Sequence, residues 1–135
     1  MATRLIGFDV GDKRIGLAEG DGQLKIAFPS GHMIVDGLEI ERIGQLIAEK
    51  EPSVLVVGYP RDQSGGETDQ TAKSREFGDS LVQFGIEVVY QDESLTSVIA
   101  EDRLKKRGKP YSKADIDSEA AAIILQDFIE ANYGH

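Results

Sequence analysis

Cysteine and tryptophan are both missing from this 135-residue chain, and only two histidines occur, His32 and the terminal His135. Without thiols there is no disulfide, no thiolate nucleophile and no cysteine zinc site. Two imidazoles, one of them the last residue, give little material for a Ser-His-Asp triad or a multi-histidine metal centre. No apolar run approaches the length of a membrane span. Met1-Ala2-Thr3-Arg4 leads straight into a strand pattern without a signal-like apolar region, so a cytoplasmic protein with no membrane partner is expected. Positive charge is scarce as well: 15 Lys and Arg against 24 Asp and Glu leave a net charge of −9. That argues against a non-specific nucleic-acid binder, whose affinity comes mainly from neutralising phosphates. Any chemistry must rest on carboxylates, lysines, hydroxyls or the backbone.

The cations that are present are unevenly spread. Arg103, Lys105, Lys106, Arg107, Lys109 and Lys113 fall within residues 103–113, a stretch without one acid. A helix ending at Gly108 and Pro110 accounts for the first four, since cations favour helix C-termini. It accounts less well for Lys109 and Lys113. This segment leads toward the final helix, which makes it the expected substrate-facing strip of an otherwise acidic protein.

The most informative stretch runs from Leu5 to Ala18, where Asp9 sits among Ile6, Phe8 and Val10 before Gly11. An ionised carboxylate in apolar surroundings is costly unless it is paired, hydrogen-bonded or bound to a cation. Gly11 permits a turn, and Ile15, Leu17 and Ala18 begin a second strand, giving a hairpin with Asp9 at its mouth. An Asp-x-Gly turn that merely caps its own backbone is the plainer alternative.

Further along, Lys25 to Ile34 reads as a short edge strand broken by Pro29 and Gly31, and residues 36 to 50 as a first helix. Val54-Leu55-Val56-Val57 has the continuous β-branched character of a central strand ended by Gly58-Tyr59-Pro60. Arg61 to Thr68 forms a polar loop before a helix bearing Phe77, Leu81 and Phe84 and ending at Gly85. Ile86 to Tyr90 is a strand that delivers Asp92-Glu93 at its end. Thr96 or Ser97 opens a helix through Arg107, and Ser112 to Asp115 has capping-box spacing before the last helix. The order β-β-β-α-β-α-β-α-α predicts one α/β domain over 1–135, a mixed five-stranded sheet with helices on both faces. Ligands gather at the carboxyl ends of parallel strands in such sheets.

Three acids from distant positions are expected to meet there: Asp9, one of Asp92 and Glu93, and one of Asp115 and Asp117. Clustered carboxylates share a proton or hold cations, and hard divalent ions prefer oxygen. Residues two apart on a helix point about 200° apart, so only one of Asp115 and Asp117 faces the sheet. Asp117 shares its stripe with Ala120, Ala121, Ile124 and Phe128, while Asp115 serves as the cap partner. Asp92 and Glu93 alternate across their strand, so only one points at Asp9.

Four spaced motifs now stand in order: Phe8 to Ala18, Val56 to Pro60 with Gly66-Glu67, Asp92 to Ser97, and Ile116 to Gln126. Together they resemble the YqgF/RuvX family of pre-16S rRNA nucleases and Holliday-junction resolvase-like proteins, almost end to end. The resemblance implies an RNase H-like fold and phosphodiester hydrolysis by metal-activated water, with Asp9, Glu93 and Asp117 holding one or two Mg²⁺ or Mn²⁺ ions. It implies a nucleic-acid partner, precursor rRNA or branched DNA, and a monomer or weak homodimer. Lys13 and Arg14 become candidate phosphate contacts, and Gly65-Gly66 candidate amide donors. This chain carries Tyr59 where the family has leucine. It carries Ser94 where the family has arginine, a loss that Arg61 or Arg103 is positioned in sequence to offset. Sugar kinases and actin-like ATPases share the opening motif, yet they close two such domains around nucleotide. A non-catalytic RNA-binding regulator on the same fold is the remaining alternative.

Overall fold

Alternation along the first strand, β1 (Arg4–Val10), sends Ile6 and Phe8 to one side of the sheet and Leu5, Gly7 and Asp9 to the other. The computed structural model describes residues 3–60, 66–93 and 96–134. After β1 come β2 (Arg14–Asp21), β3 (Ile26–Ile34), α1 (Glu39–Lys50), β4 (Val54–Pro60) and α2 (Asp69–Leu81), which tightens into a 3₁₀ turn at Val82–Phe84. Then follow β5 (Glu87–Glu93), α3 (Thr96–Lys106) and α4 (Lys113–Tyr133). The sheet order is β3-β2-β1-β4-β5, antiparallel through the first three strands and parallel from β1 through β4 to β5. The expected mixed five-stranded sheet is therefore present, with its element order intact.

Each face has its own core. Ile6, Phe8, Ile15, Leu55 and Val57 meet Ile43 of α1 and Leu81 of α2 on one side, where Phe77 sets its ring edge-on to Phe8 at 5.4 Å. Leu5, Ala18, Val54 and Val56 meet Ala121, Ile124, Leu125 and Ile129 of α4 on the other. α3 rests on the outer flank of α4 through Ala100, Ala120 and Ile123.

Two elements differ from expectation. α1 begins at Glu39 rather than 36, because the Glu39 carboxylate turns back to accept the amides of Asp36 and Gly37. That local bonding competes with the helical ladder and sets its start. β3 is a full nine-residue edge strand rather than a short one. A register shift opposite Leu17 and Ala18 lets the ladder pass Pro29 without a missing donor stopping it. The capping box is as expected: Ser112 Oγ accepts from the Asp115 amide at 3.3 Å and Asp115 Oδ2 from the Ser112 amide at 2.8 Å. Among the described residues no helix is long and apolar enough to cross a membrane.

Candidate active site

Strand ends and one helix start build the site. Asp9 lies near the carboxyl end of β1, paired across the hairpin with Gly16. Glu93 ends β5 opposite Pro60 of β4, and Asp117 sits in the second turn of α4. Small residues let these approach. A Cβ at Gly16 would run into the Asp117 backbone carbonyl, and one at Gly58 would lie 2.7 Å from Ile124 Cδ1 and 2.9 Å from Glu93 Oε1. Asp9, Glu93 and Asp117 line one open cleft of about 350 Å³ with Gly11, Gln70 and Ser97. Strand alternation puts Asp92 on the opposite face, so Glu93 is the acid of that pair that joins the cleft.

Electrostatics single out Asp9. Among the described residues its side chain makes no hydrogen bond or ion pair. Burial foremost, then the charges of Glu93 and Asp117, push its pKa from the ordinary 3.8 up to about 8. Burial also raises Glu93, against a hydrogen bond from Thr96 that favours the ionised form. Asp117 is held differently: Arg14 Nε donates to its Oδ2 at 2.7 Å, with both side chains about a quarter exposed. Among the described residues no three Asp, Glu, His or Cys side chains converge tightly enough to enclose an ion. The donor set nevertheless suits a hard divalent cation, being all oxygen, with Asp9 short of positive charge. At the third acid a guanidinium now supplies that charge.

The α2 start braces the same hairpin, a role no local sequence signal announces. Gln70 Nε2 donates to the Val10 carbonyl at 2.5 Å, Lys73 Nζ meets Asp12 Oδ1 at 2.5 Å, and Thr71 bonds the Pro60 carbonyl. On the next strand end, Tyr59 donates to Glu67 Oε1 at 2.7 Å, and Arg75 bonds both while its guanidinium lies 5.3 Å from the Tyr59 ring centroid.

The predicted cations do not form one strip. Lys113 borders a groove of about 320 Å³ that also takes in Arg14, Ser97 and Asp117 and so adjoins the cleft. Arg103 and Arg107 instead turn to Glu119 Oε1, at 3.8 and 2.9 Å, and Lys106 pairs with Asp102 one turn earlier at 3.0 Å. Lys105 and Lys109 are exposed on α3 and on the connector after it, and Lys13 is exposed in the β1–β2 turn. Arg61 and Gly65 lie outside the described residues, while Gly66 lies two residues before the α2 cap Thr68.

The sequence matches the family described as "RuvX: Holliday junction resolvase" over residues 3–131. The chain belongs to this family. A Lactococcus lactis protein named "Putative pre-16S rRNA nuclease" is 37% identical over 98% of this chain and 97% of its own. A protein of the same name from Colwellia psychrerythraea is 36% identical over 96% and 90%. Among solved structures, Thermus thermophilus RuvC in complex with a Holliday junction substrate superposes with a TM-score of 0.58 at 17% identity, covering 98% of this chain and 97% of that one. Fowlpox virus resolvase bound to Holliday junction DNA gives 0.57 at 11% identity, over 96% and 98%. At these identities the structural likeness speaks for the fold: the RNase H-like architecture of these resolvases is that of this RuvX-family chain.

Proposed function

We propose that the chain, acting as one nuclease domain, hydrolyses phosphodiester bonds in the 5′ maturation of precursor 16S rRNA. The observation that carries this reading is the Asp9 carboxyl at a strand end, unpaired among the described residues and facing Glu93 and Asp117 in a solvent-open cleft. Precursor rRNA is preferred to branched DNA because the full-length relatives at 36–37% identity carry the rRNA-nuclease name. The family description and the junction-bound neighbours give the branched-DNA alternative its weight. The enzyme works in the cytoplasm, as a monomer or weak homodimer.

Asp9 and Glu93 would hold Mg²⁺ or Mn²⁺, with Asp117 as the third oxygen donor. A bound divalent ion supplies a water of lowered pKa and neutralises charge building on the phosphate. Arg14 fixes Asp117 at the cleft and supplies positive charge beside it. Lys113, on the adjoining groove, offers the substrate backbone a cation. Thr96 donates to the Glu93 carboxylate and partly offsets the burial that raises its pKa. Gln70, Lys73 and Thr71 keep the Asp9 hairpin and the end of β4 in register with the cleft.

One preparation presented with precursor rRNA, linear single strands and a four-way junction, with Mg²⁺ or Mn²⁺ and every cut mapped, tests the reading. Cuts at the 5′ side of the 16S precursor that vanish with chelator and with Asp9→Asn are the expected result. Symmetric paired cuts in the junction alone would transfer the activity to branched DNA.

A further inference from the structure

A second concavity, of about 370 Å³, lies on the other side of α4, between the β3 edge and the α3–α4 connector. The apolar part of its lining is Pro29, Leu104, Pro110, Ala114 and the Tyr111 ring. The ring is held by its hydroxyl, which donates to Glu101 Oε2 at 2.9 Å. Arg107 and Lys109, both exposed, supply the cationic part of the lining, and the exposed His32 adds an imidazole. Glu119 also borders the concavity, its side chain 4% exposed. One of its oxygens takes Arg107 and Arg103, and the other, Oε2, is buried without a partner among the described residues. A buried, acceptor-only group left unfilled beside an apolar slot is costly unless something donates to it.

Position ties this slot to the cleft. Asp9 pairs with Gly16, and Gly16 pairs with His32, so the two sites are separated by two strand spacings, roughly 10 Å. On α4 they flank the same two turns, with Asp117 on the cleft side and Asp115, Ser118 and Glu119 on the slot side. A strand whose scissile phosphate occupies the cleft would carry a neighbouring nucleotide across this slot.

We propose that this slot receives one unstacked nucleobase of the substrate strand, held against Tyr111 and the prolines, with Arg107, Lys109 and His32 on the flanking phosphates. The inference rests on the nuclease reading and adds a subsite to it. Because a carboxylate only accepts hydrogen bonds, Glu119 would take the base through a donor edge, an exocyclic amine or a ring N–H.

The test uses the full chain as Asp9→Asn, which binds without cutting, and a labelled oligoribonucleotide spanning the mapped cleavage site, in Mg²⁺. The base is removed at one position at a time to leave an abasic nucleotide. Base–aromatic stacking is worth about 1–3 kcal/mol. One position near the cut should therefore weaken binding by roughly tenfold or more when abasic, and by less when changed to uracil. Adding Ala114→Trp, which fills the slot, should flatten that profile, while Tyr111→Phe, which keeps the ring, should preserve it. Tight binding with no position dependent on its base would overturn this inference alone. So would an unchanged profile in the Ala114→Trp protein. Failure of the wild-type chain to cut any RNA or DNA would overturn the nuclease reading together with it.

Discussion

The two faces of the sheet are packed by different rules. Against α1 and α2 the strands present large side chains, Phe8, Leu55 and Val57 against Ile43 and Leu81, and the helices stand off at side-chain distance. Against α4 they present Gly7, Gly16, Ala18 and Gly20, and α4 answers with Ala121 and Ala122, so that backbone approaches backbone at Gly7 and Gly16. The first face buries apolar surface. The second does that too, and its closeness also fixes where Asp117 stands relative to Asp9 and Glu93. Small residues on the α4 face thus act as positioning devices, whereas large residues on the other face serve stability.

The sharpest break of this comparison removes the chemistry without touching either core. Asp9→Asn, Glu93→Gln and Asp117→Asn should each lower cleavage by at least about a hundredfold, since the charge stabilisation at stake is several kcal/mol. Circular dichroism should show the fold retained. Near-normal turnover in any one of them would remove that residue from the site. Asp115→Asn, by contrast, should lose only a cap contact, about 1 kcal/mol of stability, and keep its activity.

Substituting one residue on each face separates positioning from packing. Gly16→Ala should cost about 1–3 kcal/mol through overpacking against the Asp117 backbone, and it should lower kcat far more than its melting temperature explains. Leu81→Ala should cost about 2–5 kcal/mol as a cavity, yet leave kcat near normal below its melting range. Equal activity losses at matched stability would erase the distinction between the faces.

A smaller effect, on stability alone, follows from Asp9. Its folded pKa of about 8 lies above the ordinary 3.8, so between those values the folded chain keeps a proton that the unfolded chain has released. This contribution to stability is fully present below about pH 4, is lost as pH rises toward 8, and stays lost above it. Melting followed from pH 4 to 8.5 without divalent ions should show that decline in the wild type and a flatter curve in Asp9→Asn. Added Mg²⁺ at pH 8 should restore wild-type stability and do little for the variant. The smallest change expected is Lys106→Ala, which breaks an exposed one-turn pair with Asp102 worth about 0.3–0.5 kcal/mol and should alter neither melting nor cleavage measurably.

Much of this architecture is legible in the sequence. Strand alternation and helical spacing are local properties, so the element order and the choice of Asp117 over Asp115 follow from them directly. Glu93 over Asp92 needed the family resemblance as well, because alternation says only that the two acids part ways. The pairing of Arg14 with Asp117, the brace from Gln70 to the Val10 carbonyl and the inward pull of Glu119 on Arg103 and Arg107 depend on how elements dock. Nothing in their neighbours along the chain encodes them. The cationic stretch shows the same limit: charge density was plain in the sequence, but its division between the cleft side and the far side of α4 is a tertiary outcome.

The ion pair between Arg14 and Asp117 joins residues 103 positions apart. A ribosome making this chain releases Asp9 and its hairpin long before α4 exists. Until that helix docks, one whole side of the sheet lacks its cover and the third acid is missing from the cleft. A nascent or C-terminally truncated chain therefore lacks the acid that the proposed site draws from α4. The helix that completes this core is thus also the one that brings Asp117 to the cleft.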